Sequence, residues 1–257
     1  MRLCGGVSIL VDHSVVLRNI VKEYGDRGKR VRVLDGINLE IRSEILAILG
    51  PSGCGKSTLL RIIAGIEKPS SGEIIYRTSN RDRPPIGFVF QSPSLLPWLT
   101  VLENVALPLR ARGVPEKEAE ETARKYLSLV GLQEFENFYP EELSGGMKQR
   151  VNLARALGIE PEILLMDEPF SHLDPLTAEN LRAELLDIWL SSLAPVKAIV
   201  LVTHDVVEAV YMADRIAILT PRPARVASII NIDISRPRNR LSQEFTKIVD
   251  LVYEYVS

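Results

Sequence analysis

Residues 45–64 constrain the fold of this chain more than any other stretch. Five apolar residues, Ile45 to Leu49, run directly into Gly50-Pro51-Ser52-Gly53-Cys54-Gly55-Lys56-Ser57. Thr58-Leu59-Leu60-Arg61-Ile62-Ile63-Ala64 then continues as a helical run. A continuous apolar run reads as a strand covered on both faces. Glycines let successive backbone N–H groups turn inward and form a concave anion nest. The helix that starts there points its unpaired N–H groups and positive dipole end at the same place. A plain glycine turn explains the glycines but not the Gly-Lys-Ser ending. With that ending the segment fits Gly-x4-Gly-Lys-[Ser/Thr], in which Lys56 adds a charge near the β/γ-phosphates and Ser57 offers a hydroxyl to Mg²⁺. Nucleotide binding is the expectation.

A 257-residue chain can bury a substantial core, as one large domain or a domain with a sub-lobe. Its 46% hydrophobic and 25% charged content is ordinary for a soluble globular protein. The formal net charge of −2 gives no basic field for nucleic acid. Runs such as Ile199 to Val202 are far shorter than the about 20 residues that span a bilayer. Met1 to Ser14 makes a poor signal peptide, so the chain is expected to stay in the cytosol. Cys4 and Cys54 make neither a disulfide framework nor a metal site. Cys54 lies inside the glycine loop as a small filler, and modifying it is expected to obstruct nucleotide.

Val15 to Ile20, Arg30 to Leu34 and Ile37 to Ile41 read as short strands of an antiparallel layer, with connections at Gly25 to Gly28 and at Asp35-Gly36. Ile86 to Phe90 reads as another buried strand. From Gln91 to Glu142 prolines punctuate helical stretches. Among them, Ala119, Ala123, Tyr126, Leu127 and Val130 recur at helical spacing after Pro115. This predicts a helical insert. Afterwards strands (163–166, 198–202, 216–219) alternate with helices (176–190, 206–212), which argues a parallel sheet with helices on its faces. Ser242 to Val256 reads as a last amphipathic helix.

Ile163-Leu164-Leu165-Met166-Asp167-Glu168-Pro169 is a buried-strand pattern that delivers two carboxylates at its end. Asp167 suits Mg²⁺, held through water, because that ion keeps much of its hydration shell. Glu168 is the candidate for polarising an attacking water. Phosphoryl transfer needs positioning and charge neutralisation more than covalent help, so one carboxylate suffices. Without the glycine loop, an Asp-Glu pair at a strand end reads as solvated loop. His204 follows the strand Ala198 to Thr203 and can reach the same sheet edge; His13 and His172 have no such setting. Gln91, after Phe88-Val89-Phe90, can sense both Mg²⁺ and water. In Leu143-Ser144-Gly145-Gly146-Met147-Lys148-Gln149-Arg150, Ser144 is an N-cap and the glycines expose backbone N–H groups. It is a second anion-binding helix start.

Together these segments resemble the nucleotide-binding domain of ATP-binding cassette (ABC) transporters, from about Val15 to Ala227. Gly50 to Ser57 resembles Walker A, Gln91 the Q-loop, Leu143 to Arg150 the signature, Ile163 to Glu168 Walker B, Asp174 the D-loop and His204 the switch histidine. Tyr24 matches the aromatic position that stacks on adenine. The resemblance implies an α/β P-loop NTPase (RecA-like) core with a mainly parallel sheet, an antiparallel β subdomain and an α-helical subdomain. Residues 1–90 and 151–230 would form the core, 91–150 the helical subdomain, and 231–257 a C-terminal extension.

It also implies ATP and Mg²⁺ as ligands, held by Tyr24, Gly50, Pro51, Ser52, Gly53, Cys54, Gly55, Lys56, Ser57, Thr58 and Gln91, with Ser57, Gln91 and Asp167 toward the metal. Lys56, Glu168 and His204 would be catalytic. The family works as a head-to-tail dimer, a homodimer or a pair with a second such ATPase. Ser144, Gly145, Gly146 and Asp174 would complete the partner's site. A membrane permease, and indirectly an external solute-binding protein, would be the other partners, on the cytoplasmic side of the membrane.

Ser94 to Val101, Thr220 to Pro223 and Ser235 to Arg240 look like the nitrate/sulfonate/taurine importers, so uptake of small anions is expected. Leu95-Leu96-Pro97-Trp98 would serve core packing in part and permease docking in part. A soluble non-transport ABC ATPase, an exporter ATPase and a P-loop kinase are the alternatives. Three departures stand out: Met147 for the usual glutamine, Ser43-Glu44 for Gly-Glu, and His172 for a small residue beside Asp174.

Overall fold

A computed structural model of the chain describes residues 14–25, 30–77, 84–191 and 193–256. Cys4, His13 and the connection expected at 26–28 lie outside these residues. Two sheets organise the described chain. The smaller is antiparallel, in the order β2 (Val31–Ile41), β1 (Ser14–Tyr24), β4 (Ser71–Arg77). The larger has six strands, in the order β5 (Ile86–Val89), β6 (Ile163–Asp167), β7 (Ala198–Val202), β3 (Ile45–Leu49), β8 (Arg215–Leu219), β9 (Val226–Asn231). All neighbours in it are parallel except β8 and β9.

Alternation along the central strands divides the interior. Leu46 and Ile48 of β3 pack with α1 (Lys56–Ile63) and the small sheet, whereas Ile45, Ala47 and Leu49 pack with the helices on the opposite face. Those helices are α2 (Val101–Ala111), α3 (Glu116–Leu129), α4 (Gly145–Gly158), α5 (Pro175–Leu190), α6 (Val206–Met212) and α7 (Gln243–Val256). α2 begins with a capping box in which Thr100 and Glu103 bond each other's backbone N–H. α2, α3 and α4 pack on one another. α4 runs through the border expected between residues 150 and 151.

One local expectation changes. Asp35-Gly36 does not connect two strands; β2 passes through it. Pairing moves from Ile20↔Ile37 to Lys22↔Leu34, so β2 holds one extra residue there. The pair is absorbed as a β-bulge, a second use of the residues that make turns. Ser43-Glu44 does form a tight turn, and Glu44 sinks to 9% exposure because Arg215 grips both its oxygens at 2.8 and 2.7 Å.

Residues 232–240 close the far end of the sheet. Arg236 bonds Asp214 and the Met212 carbonyl. Arg238 is buried and donates to the carbonyls of Val210, Tyr211, Ala213, Ile232 and Ile234. Two cations thus satisfy the orphan carbonyls at the end of α6.

Candidate functional site

Register brings the site together. Asp167 pairs with Val202, and Ile48 pairs with Val202 from the other side, so β6, β7 and β3 end side by side. The loops after these three strands carry Glu168, His204 and the glycine loop. Pro51, Ser52 and Gly53 face solvent at that edge, and Gly50 lies against Leu219 of β8. Gly55 is the N-cap of α1 at φ 126. A Cβ there would lie 2.8 Å from Val33 and 2.9 Å from Leu34, so β2 presses on the loop from below. Lys56 is 5% exposed, and its ammonium donates to the carbonyls of Gly50 (2.8 Å) and Pro51 (3.1 Å). Arg222, in the expected 220–223 segment, donates to the Gly53 carbonyl from outside.

The Ser57 hydroxyl donates to Asp167 Oδ1 at 2.9 Å. Burial pushes the Asp167 carboxyl above its ordinary range, against the lowering effect of that bond. A hydroxyl and a carboxylate set side by side are hard oxygen donors of the kind that suits Mg²⁺. Glu168 follows at φ 45, a left-handed conformation that costs a non-glycine residue on the order of 1–3 kcal/mol. That backbone turns its carboxylate back over the loop. Gln91 donates to Oε2 at 3.3 Å, His204 Nδ1 faces Oε2 at 3.2 Å, and Lys56 Nζ lies 4.0 Å from Oε1. Lys56, Ser57, Gln91, Asp167, Glu168 and His204 therefore form one cluster.

Tyr24 ends β1, and burial pushes its phenol above the ordinary range, with Glu67 adding to the rise and Thr58 opposing it. Its ring stays 40% exposed, with the Lys22 ammonium 4.9 Å from the centroid. Cys54 packs under the loop at 2% exposure, and burial pushes its thiol upward. A reagent that modifies Cys54, and so is expected to obstruct nucleotide, must first reach this buried thiol.

Ser144, Gly145 and Gly146 are not part of this cluster. Ser144 caps α4 by accepting from Met147 N at 3.3 Å. Among the described residues no hydrogen bond or ion pair joins 144–146 to 50–58. Asp174 caps α5, accepting from Thr177 N at 3.0 Å, and Thr177 holds its carboxyl below the usual range. His172 is exposed beside it.

Several residues around the site escaped sequence reading. Asn152 is fully buried and donates to the Phe90 carbonyl, while Arg155 donates to the carbonyls of Pro93 and Ser94. α4 thereby holds the chain on both sides of Gln91. Their one local signal is a polar residue, Asn152, between Val151 and Leu153 in a buried helix.

Residues 34–171 match the family described as ABC transporter. The chain belongs to that family. An uncharacterised ABC transporter ATP-binding protein of Methanocaldococcus jannaschii is 48% identical over 232 residues, 89% of this chain and 86% of that protein. The aliphatic sulfonates import ATP-binding protein SsuB of Bacillus thuringiensis subsp. konkukian is 39% identical, covering 91% of this chain and 92% of that protein. Among solved structures, the dimeric post-hydrolysis state of the ATP-binding cassette MJ0796, bound to ADP and Pi, superposes with a TM-score of 0.73 at 34% identity. That match covers 86% of this chain and all of the other. The fold is that of the ABC cassette, and the chain is an ATP-binding, ATP-hydrolysing subunit of an ABC transporter. No helix among the described residues is long and apolar enough to cross a membrane.

Proposed function

We propose that this subunit hydrolyses ATP to drive uptake of small anions of the sulfonate kind. It works as a head-to-tail dimer on the cytoplasmic face of a membrane permease. The observation that carries the reading is the convergence of Gln91, His204 and Lys56 on the Glu168 carboxylate beside the Ser57–Asp167 pair. Tyr24 offers its exposed face to the adenine. Lys56 and the N–H groups of residues 50–58 hold the phosphates. Ser57 and Asp167, with Gln91 nearby, hold Mg²⁺, which neutralises phosphate charge when bound. Glu168 orients and polarises the attacking water, and His204 steadies Glu168 through Oε2. Ser144, Gly145 and Gly146 present their helix start, with Asp174 beside it, to the nucleotide of the partner copy. This gives the second anion-binding terminus a use that the cluster within one chain lacks.

The permease reading rests on residues 95–99. Leu95 packs on the core, whereas Trp98 is 69% exposed. Buried Asn104 bonds the Leu96 N–H and the carbonyls of Leu96 and Leu99, so this apolar loop is held rigidly outward. Phe138 and Tyr139 are exposed next to it, with the Phe138 carbonyl accepting from Val101 N. A rigid aromatic patch of this kind suits a partner surface. The sulfonate class follows the Bacillus relative, an aliphatic sulfonates import ATP-binding protein.

Glu168→Gln tests the central assignment. It keeps the shape and removes the charge, so phosphate release should fall on the order of 100-fold or more. ATP binding should persist, and an ATP-dependent dimer should accumulate in size-exclusion chromatography. Near-normal turnover would sink the role given to Glu168. For the solute, sulfonate-dependent stimulation of ATPase activity in the reconstituted transporter decides.

A further inference from the structure

Behind the Glu168 and His204 loops lies a cavity of about 720 Å³, bounded by both residues and by Phe170, Glu179, Arg182, Thr203 and Glu208. Its floor is a buried polar chain. Glu208 is 5% exposed and Thr203 2% exposed. The Thr203 hydroxyl donates a short hydrogen bond to Glu208 Oε2 and accepts one from Asp205 N at 3.1 Å. Arg182 Nε donates to Glu208 Oε1 at 2.8 Å. The same guanidinium sits 5.2 Å from the centre of the Phe170 ring and 3.4 Å from Glu179 Oε2. Arg240, from the segment after β9, reaches Glu179 at 2.8 Å.

Thr203 precedes His204, and Phe170 comes two residues after Glu168. Arg182 therefore touches the Glu168 segment through the Phe170 ring and the His204 segment through Glu208 and Thr203. Burying an ion pair is a weak source of stability, because desolvation offsets attraction. A planar guanidinium bonded through Nε and Nη1 to two different carboxylates does fix geometry closely. The 3.2 Å contact between His204 Nδ1 and Glu168 Oε2 is made by two loops with no direct backbone ladder beyond Glu168 N to Val202 O. His204 itself is exposed, with a 58% accessible side chain, so packing does not hold it.

We propose that Arg182 and Glu208 are positioning residues for hydrolysis, fixing His204 against Glu168 through Thr203 and Phe170. The inference rests on the roles given above to Glu168 and His204. Displacements of about 1 Å at such a contact can cost on the order of 100-fold in rate.

The test is the paired variant Arg182→Met/Glu208→Leu, which replaces the ion pair by apolar side chains so that no buried charge is stranded. Its KM for ATP should stay within about twofold of wild type while kcat falls about tenfold or more. In a His204→Ala background the same pair should lower kcat no further, because its effect passes through His204. Wild-type kcat in the folded paired variant overturns the proposal. So does an equal loss in the His204→Ala background, which would mark a general structural role. If the pair does not fold, Arg182→Lys carries the test. It keeps the charge but loses the fork, and should lose kcat severalfold at unchanged KM; unchanged kcat overturns the proposal. Failure of the underlying reading looks different: His204→Ala alone would then retain wild-type turnover.

Discussion

Gly146→Ala separates two reasons for a glycine at the start of α4. Gly146 is the second residue of that helix, and its φ is not among the positive values, so alanine suits the backbone. Space does not suit it. An added Cβ would lie 2.4 Å from Thr177 Cγ2, more than an ångström inside the normal carbon–carbon separation of about 3.5–4.0 Å. Thr177 is β-branched and stiff at χ1, so it cannot simply swing away. Overpacking of this order costs about 1–3 kcal/mol. In the first turn alanine returns less of the about 0.5–1 kcal/mol of helix preference it has in a helix interior, about 0–0.5 kcal/mol. The net loss is about 0.5–3 kcal/mol, or a fall in Tm of about 1–12 °C for a chain of this size.

Thr177→Ser removes only the offending methyl. The next atoms, Thr177 Cβ and Oγ1, stand at 3.7 and 3.9 Å from the added carbon, which is ordinary contact. Gly146→Ala/Thr177→Ser should therefore regain the wild-type Tm in a thermal melt followed by circular dichroism. If a partner's nucleotide also approaches Gly146 closely, the double variant should still lose at least about tenfold in ATP turnover, because repair inside the chain does nothing for the space across the dimer. A single variant as stable as wild type, or a double variant no more stable than the single, would refute the steric reasoning.

Arg238→Met should cost about 3–5 kcal/mol in urea unfolding, since it strands buried carbonyls that one guanidinium now satisfies; a loss under about 1 kcal/mol would count against that clamp. Native Cys54 should resist iodoacetamide at pH 8 and react only on unfolding, and rapid native labelling would contradict its burial. Because its thiol ionises above the ordinary 9.0 when folded, the unfolded state loses the proton first. Cys54 then lowers stability as pH rises past about 9, and Cys54→Ala should flatten that slope. Tyr24→Ala should raise the KM for ATP about three- to tenfold, the worth of one aromatic stack, with kcat within about twofold; an unchanged KM would remove Tyr24 from the adenine site.

The parts that were legible in the sequence are those whose environment is uniform along the chain. Ile45–Leu49, Ile163–Asp167 and Ala198–Val202 are buried at every residue, and each run ends at, or within two residues of, a site residue. The cluster around Glu168 was legible for the same reason, since register then sets the strand ends together. β4 and β9 were not. Both are sheet-edge strands, and β4 has no fully buried residue while β9 has one, so no apolar run announces them. Asp35-Gly36 misled because turn chemistry and bulge chemistry use the same residues. Arg182, Glu208 and the reach of Arg222 to the glycine loop were invisible for another reason. The Arg182–Glu208 bond spans 26 positions and the Arg222–Gly53 bond 169, and charged residues on a helix or in a loop carry no local mark of such contacts.

The contacts of α4 tie these long-range pairs into one mechanical argument. Its first turn carries Ser144 to Gly146, its middle carries Arg150 on Glu184 of α5, and its later turns carry Asn152 and Arg155 on the chain flanking Gln91. Three hydrogen bonds of 2.7 to 3.1 Å to the carbonyls of Phe90, Pro93 and Ser94 leave that loop little freedom relative to the helix. Gln91, by contrast, meets the end of β6 through two longer bonds, 3.3 Å to Glu168 Oε2 and 3.4 Å to Ser171 Oγ. Under a force between the α2–α4 layer and the sheet, these two longer contacts should yield before the three bonds of the clamp do. Gln91 is therefore expected to travel with the helix start that carries Ser144 to Gly146.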